Sequence, residues 1–361
     1  MDRPLRVAVI GLGFGQQVHV PAFRADPRCE VTTLCASAEA KAADVARRLG
    51  VPNASGDWRT VVASPDIDVV SIAVPPRLQP AIAIEALGQG KAVFCEKPLA
   101  ADLQEARAVY EAAARSGRPN LVNFEFCQCD AWRSAAKLLN SDQIGPIISV
   151  DVDWRVRTYG NRGRLDNWKS KPEEGGGALN AFVAHTFYDL ERVAGSIDRM
   201  QARLSKAADD PRTGETEVSL EAQFLTEGAR ATVHVATDAP PPHHHRIEIV
   251  GRSGVLRLVN EGSDYIDGFR VLYGPGTGAT MTVVSSQTAA FGESPSRAGN
   301  SGAVTPDGRT MATSRLVRKF LNWACDGRPA HPDLADGHRV QFLIEAARRS
   351  NAERRWMDAL V

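Results

Sequence analysis

Val7–His19 reads VAVIGLGFGQQVH: an apolar run that stops at a glycine, breaks into a glycine-rich turn and resumes as a helix-compatible segment. An unbroken run of β-branched and small apolar residues suits a strand buried on both faces, as in parallel sheets covered by helices. Gly11 and Gly13 fall between that strand and the helix. In that place one glycine permits the tight turn and a second lets backbone approach a pyrophosphate. The helix N-terminus then favours the ligand's negative charge. In the G-x-G-x-x-G spacing a third glycine would stand where this chain has Gln16, and a glycine appears one place early, at Gly15. The turn by itself is a weak motif, so its surroundings decide the reading.

Outward from this turn the first third of the chain alternates helix and strand. A helix is expected over 17–25, a strand over 30–36 (EVTTLCA), and a helix over 38–50 that Ser37 can cap and Gly50 stops. A buried strand over 68–74 closes at Pro75-Pro76, a helix follows over 81–90, and KAVFCEKP over 91–98 is the next strand. Asp102 caps a helix that ends near Gly117, and NLVNFEF closes the series at 126. Repeated units of this kind predict a doubly wound parallel sheet over residues 1–122. Beyond 123 the pattern changes to a helix over 132–139, an alternating strand over 146–156, a helix over 178–193 and then strands in succession. Consecutive strands predict a largely antiparallel sheet, hence a second, α+β domain over 123–361. Residues 274–308 are rich in Gly, Ser, Thr and Ala and are expected to form a long loop, either a lid or a mobile segment. Helices over 314–326 and 336–352 finish the chain.

The composition fits two ordinary globular domains: 361 residues, 43% hydrophobic and 24% charged. Lys plus Arg equals Asp plus Glu at 43 each, so nothing pulls the chain toward nucleic acid or an anionic membrane. The N-terminus has no signal-peptide pattern and no apolar run reaches bilayer length, which implies a cytoplasmic protein. The six cysteines are then read as reduced packing residues, and the Cys127-x-Cys129 pair has no second pair to complete a zinc site. PPPHHHR (240–246) resembles a metal tract, but consecutive histidines on a strand point to opposite faces, so no metal is expected.

Two further features carry chemistry. At the end of the second strand, where a carboxylate would take the ribose 2′-hydroxyl of NAD, stand Ala36 and Ser37, with Lys41 one turn on. No carboxylate repels a 2′-phosphate there, so NADP is favoured over NAD, although Ser37 is equally explained as a helix cap. Glu96-Lys97-Pro98 ends a buried strand, where an open α/β sheet places its ligand site, and a lysine there has no structural need.

The glycine loop followed by His19, the EKP tripeptide and GGGALNAFVAH (175–185) together resemble the Gfo/Idh/MocA family, the glucose–fructose oxidoreductase and inositol dehydrogenase group. RIEIVGRSGVLRL and DLADGHRVQFLIEAARRS resemble that family's closing elements, so the likeness spans nearly the whole chain. The resemblance implies a Rossmann domain, a C-terminal open-faced mixed sheet that forms a homodimer or homotetramer, and NAD(P)-linked oxidation or reduction of sugars, nucleotide sugars or cyclitols. Lys97 and His185 become the catalytic pair. Gly11, Gly13, Phe14, Gly15, Gln16, Ser37, Val74, Pro75, Gln79, Glu96 and Lys97 become cofactor-binding. Against the family pattern G-G-G-x-L-x-D-x-G-x-H-x-x-x-D this chain departs, with Ala181 at the aspartate and Val183 at the glycine two places after it. Gln79 stands where many relatives carry histidine.

Oxidising a carbinol needs a hydride acceptor, a base for the hydroxyl proton and a group that stabilises the oxyanion. Histidine titrates near working pH, so His185 suits the base, and Lys97 suits the substrate oxygen. In α-helical spacing Ala181 and His185 share a face, so alanine enlarges that wall without removing either proton-handling group. His185 has an alternative as a core histidine. Asp189 either orients its imidazole or forms a helix-surface ion pair. Trp154, Arg155, Tyr159, Arg164, Trp168 and Lys169 precede the triple glycine. They either wall the substrate pocket together with Glu125, Phe126 and Ala181, or form a solvated cationic loop. The rival to an enzyme is a catalytically silent sensor of NAD(P) or sugar, which the Ala181 departure keeps open.

Overall fold

The computed structural model describes residues 3–226, 228–262, 266, 268–276, 280–286 and 307–360. The chain forms two compact units, Met1–Glu125 with Pro306–Gln341, and Phe126–Thr305 with Phe342–Val361. These units divide the chain differently from the expected 1–122 and 123–361, because a late segment returns to the first unit. The reason is aromatic. Phe320, on helix Arg309–Asp326, meets Phe23 and Phe94 edge-to-face at 6.4 and 5.8 Å, and Phe23 meets Phe94 at 5.5 Å. All three rings are fully buried. Such pairs contribute about 0.5–1.5 kcal/mol each beyond their area burial.

In the first unit six strands, β1 (Leu5–Ile10), β2 (Cys29–Cys35), β3 (Asn53–Ser55), β4 (Val69–Ile72), β5 (Ala92–Cys95) and β6 (Asn120–Val122), form one sheet in the order β3-β2-β1-β4-β5-β6. Every pairing is parallel. β4, β5 and β6 are buried throughout, as the unbroken apolar runs require. The order reverses between β1 and β4, and at such a switch point the strand ends open a crevice for ligand.

Local signals were mostly legible. Asp102 accepts the Glu105 N–H at 2.9 Å, and Gly50 and Gly117 end their helices in the left-handed region. Ser37 is a correction. The N-cap of helix Glu39–Leu49 is Ala38, extended at φ −142° with no side-chain cap, so Ser37 lies one residue too early to cap and its side chain is exposed. β3 and helix Trp58–Ala63 are short elements that the apolar pattern does not reveal.

The second unit carries a nine-stranded sheet. Its strands are β7 (Ile147–Arg155), β8 (Ile197–Ser205), β9 (Glu217–Phe224), β10 (Arg230–Ala236), β11 (His244–Gly251), β12 (Gly254–Asn260), β13 (Arg270–Pro275), β14 (Thr282–Ser286) and β15 (Met357–Asp358). They lie in the order β14-β13-β12-β11-β7-β10-β9-β8-β15. The sheet is largely antiparallel and mixed, as expected: among its described pairings only β7 and β10 run parallel. Alternation is clean in β9, where Val218, Leu220, Ala222 and Phe224 are buried and their neighbours exposed. β14 falls inside the stretch expected to be a loop; residues 277–279 and 287–306 of that stretch lie outside the described residues.

Candidate active site

At the switch point the glycine loop meets the geometric demands of a dinucleotide. Gly11 has φ +97°, and a Cβ there would overlap the Ala73 carbonyl oxygen at the end of β4. Gly13 is exposed with open space where a side chain would stand, so backbone is free to approach a pyrophosphate. A Cβ on Gly15 would lie 2.9 Å from Val9 Cγ1, so Gly15 supplies the close helix–strand packing expected of the third glycine. The displaced spacing has a structural counterpart: Gly15–His19 is a π-turn leading into helix Val20–Arg24. Ala73 is followed by Val74 and Pro75, both half-buried. These residues fit the nicotinamide dinucleotide that the motif implies.

Not every expected ligand points outward. Gln16 donates to the Leu12 carbonyl at 2.5 Å and accepts from Arg48 at 3.2 Å, so its amide serves the loop itself. Gln79, expected at the cofactor, is fully buried and bonds the EKP backbone. Phe14 lies under the Arg309 guanidinium, 4.6 Å from the ring centroid, and Arg309 pairs with Asp307 at 2.5 Å.

The EKP turn is held from several sides. Glu96 Oε1 accepts from Asn123 Nδ2 at 2.7 Å and faces His19 Nε2 at 2.9 Å. A carboxylate only accepts, so His19 donates from Nε2, while its Nδ1 lies 2.8 Å from Ser71 Oγ. Glu96 Oε2 accepts the Lys97 N–H at 3.3 Å. Glu125 is buried nearby. Burial pushes its carboxyl up to about 7, Glu96 adds to the rise, and Lys97 and Arg309 oppose it. Glu125 Oε2 and Asn123 Oδ1 have no hydrogen-bond partner among the described residues.

In the second unit the triple glycine threads a crowded corner. Gly177 has φ +90°, and a Cβ on it would overlap the Glu215 carboxylate. Glu215 Oε1 accepts the Leu179 N–H at 3.0 Å and so caps the segment that follows, a role nothing local predicts from 36 residues away. That segment, Leu179–Val183, is again a π-turn, running into helix Ala184–Ala194. The extra residue in a π-turn removes the α-helical phase that set Ala181 and His185 on one face. Asn180 is fully buried and donates to the Gly176 carbonyl at 2.9 Å.

His185 is buried against Phe126, with ring centroids 4.5 Å apart. Trp154 stacks on His245 at 4.0 Å and 3° between planes, a pairing fixed by the β7–β11 register. Burial holds His245 down to about 3, so its imidazole stays neutral. His185, Asp189, Trp132, Trp154 and His245 line a cavity of about 20 Å³. That is room for about one water, not for a sugar. Asp189 pairs with Arg192 at 3.3 Å but is buried, and burial pushes its carboxyl up to about 7. It is not a surface pair.

The remaining aromatic and basic candidates divide. Trp154 is in the wall. Arg155, next along the strand, points to the other face and pairs with Asp153 at 3.1 Å. Tyr159 is 59% exposed, Trp168 half-buried, and Lys169 exposed with Nζ 5.7 Å from the Trp168 ring. Arg164 is exposed and pairs with Asp209. His244 bonds Asp153 at 2.8 Å while His245 is buried, so the histidine tract splits between faces. Sequence reading missed His245, Glu215, Asn123 and Arg309 as members of these clusters.

Residues 5–124 match the family model described as Gfo/Idh/MocA oxidoreductase family, NAD-binding Rossmann fold, and residues 132–257 match the Gfo/Idh/MocA C-terminal domain. An uncharacterized oxidoreductase of Synechocystis sp. is 30% identical over 365 residues, covering 98% of this chain and 95% of that protein. Levoglucosan dehydrogenase of Pseudarthrobacter phenanthrenivorans is 27% identical, covering 98% of each. A solved levoglucosan dehydrogenase in complex with NADH and levoglucosan superposes with a TM-score of 0.85 at 25% identity, covering 99% of this chain and all of that one. No helix among the described residues is long and apolar enough to cross a membrane.

Proposed function

Since this chain belongs to the Gfo/Idh/MocA family of NAD-binding oxidoreductases, we propose that it moves hydride between a nicotinamide dinucleotide and a carbinol or keto carbon of a sugar, nucleotide sugar or cyclitol. The observation that carries this reading is Lys97 itself, a cation on a hydrogen-bonded turn at the C-terminal end of a parallel strand, beside the glycine loop's switch point. The substrate class is supported by relatives named levoglucosan dehydrogenase and scyllo-inositol 2-dehydrogenase.

When bound, the nicotinamide accepts or returns hydride at C4. Lys97 Nζ holds the substrate oxygen as charge develops on it. His185 takes the hydroxyl proton as the C–H pair leaves with hydride, and returns it in the reverse direction. Glu125, buried beside Lys97 with an oxygen to offer, is assigned to the substrate or to the proton it releases. For the ribose we read NADP ahead of NAD, because the second strand is followed by Ala36 and the exposed Ser37 rather than by a carboxylate, and Lys41, also exposed, lies one turn on. We assign the free cysteines to a reduced cytoplasmic setting, and the open face of the nine-stranded sheet to a homodimer or homotetramer contact.

The test is nicotinamide absorbance with a panel of sugars, nucleotide sugars and inositols, in both directions with NAD and NADP. Turnover that falls about 10²–10⁴-fold in Lys97→Ala and in His185→Ala is the expected result. Tight cofactor binding without turnover across the panel would favour a silent sensor, the reading that Ala181 supports.

A further inference from the structure

Gln79 lies at the start of helix Gln79–Gly88 and is fully buried. Its carboxamide makes four hydrogen bonds, all to backbone flanking Lys97. Nε2 donates to the carbonyls of Glu96 at 2.6 Å, Pro98 at 3.1 Å and Leu99 at 3.1 Å. Oε1 accepts the Glu96 N–H at 3.1 Å. The Glu96 carboxylate is fixed separately by His19 and Asn123. One planar group thus holds the two peptides on either side of Glu96, the second of which enters Lys97, and the two peptides that follow Pro98 and Leu99.

Few side chains can do this. The turn presents three acceptors and one donor to a dry pocket, and only an amide offers donors and an acceptor from one plane. Glutamate would set its oxygens against three carbonyls, and leucine would take the side-chain donor from all three, while the Glu96 N–H would keep only its bond to the Ile72 carbonyl, a cost that falls on the turn itself.

We propose that Gln79 is a positioning residue for Lys97, setting through its carboxamide the backbone path of residues 96–99 and with it the place of the lysine ammonium. This rests on the catalytic reading of Lys97. It replaces the expectation that Gln79 touches the cofactor, since both of its N–H bonds are already engaged.

The test compares Gln79→Leu, Gln79→His and Lys97→Ala, each saturated with NADP or NAD and held well below its melting temperature. Three quantities are read: cofactor Kd by fluorescence, kcat and KM on whichever panel substrate turns over, and the rate of Lys97 acetylation against pH by peptide mass spectrometry. Positioning predicts an unchanged cofactor Kd, a kcat lowered about 10²-fold in Gln79→Leu, and an altered pH profile of Lys97 labelling. Gln79→His keeps one donor and one acceptor, so it should recover part of the loss. Adding Gln79→Leu to Lys97→Ala should slow the enzyme no further.

A raised cofactor Kd with full kcat at saturation would make Gln79 a ligand and overturn the proposal. So would wild-type kcat and wild-type Lys97 labelling in a Gln79→Leu protein whose only change is a lower melting temperature. The labelling needs no substrate, and if Gln79→Leu does not fold, Gln79→His carries the same comparison. Full activity in Lys97→Ala would instead defeat the catalytic reading beneath it.

Discussion

Around the Glu96–Lys97–Pro98 turn polar side chains are tied to one another and to backbone: His19 to Ser71 and Glu96, Asn123 to Glu96, Gln79 to four peptide groups. Around His185 the neighbours are rings, Phe126 against the imidazole and Trp154 stacked on His245, above a cavity of about 20 Å³. Directional bonds admit one arrangement, so the first cluster fixes a position. Ring packing fills volume and tolerates exchange of what it surrounds, so the second fixes a shape.

That contrast can be broken most sharply with pH. Asp189 and Glu125 each titrate near 7 in the folded chain, against about 4 unfolded. A carboxyl raised on folding stabilises below its unfolded pKa, and that stability is lost as pH rises through 7. Each group therefore lowers stability by up to about 1.4 kcal/mol per pH unit between about 4 and 7. Asp189→Asn and Glu125→Gln should each flatten that fall in urea denaturation curves. If only Asp189→Asn does, Lys97 and Arg309 hold Glu125 ionised, and the two clusters differ in electrostatics as well as in packing.

A smaller effect is expected at the rim of the first unit. Ser37→Asp introduces a carboxylate where a 2′-phosphate would lie, and should raise the Kd of NADPH about tenfold, roughly 1.4 kcal/mol, without weakening NADH. Equal, unchanged affinities in fluorescence titration would remove the ribose from Ser37. Smallest is Ala181→Asp. Because Ala181 is only half-buried, in the π-turn Leu179–Val183, the added carboxylate should leave melting nearly unchanged and shift kcat/KM among panel substrates less than about tenfold. A larger rise in turnover would show that the missing aspartate, not the packing, limits this half.

Much of the first unit was legible because its signals are local. Buried parallel strands are continuous apolar runs, Asp102 caps its own helix, and Gly11 must be glycine where a Cβ would strike Ala73. What failed to read depends on distant partners. Trp154 and His245 meet only through strand register, Glu215 caps a turn far upstream of it, and Gln79's amide turns inward because the EKP carbonyls await it. In β8, Met200, Ala202 and Leu204 alternate with Arg199, Gln201 and Arg203, but a register shift between Ile197 and Arg199 puts the buried Ile197 out of that phase and shortens the pattern that sequence shows. Alternation along β7 would have separated Trp154 from Arg155, had residues 154–169 not been weighed as one cationic loop.

Each glycine motif leads into a π-turn, Gly15–His19 and Leu179–Val183, and each turn brings a histidine to its end or just beyond. A π-turn is one residue more than an α-helix requires. Deleting one residue from either would restore regular winding and swing the preceding motif by about 100° about the helix axis relative to its histidine. The angular setting of His19 against the glycine loop, and of His185 against the triple glycine, is therefore stored as a residue count. Alignments that score identity alone pass over it, whereas a single-codon deletion would erase it.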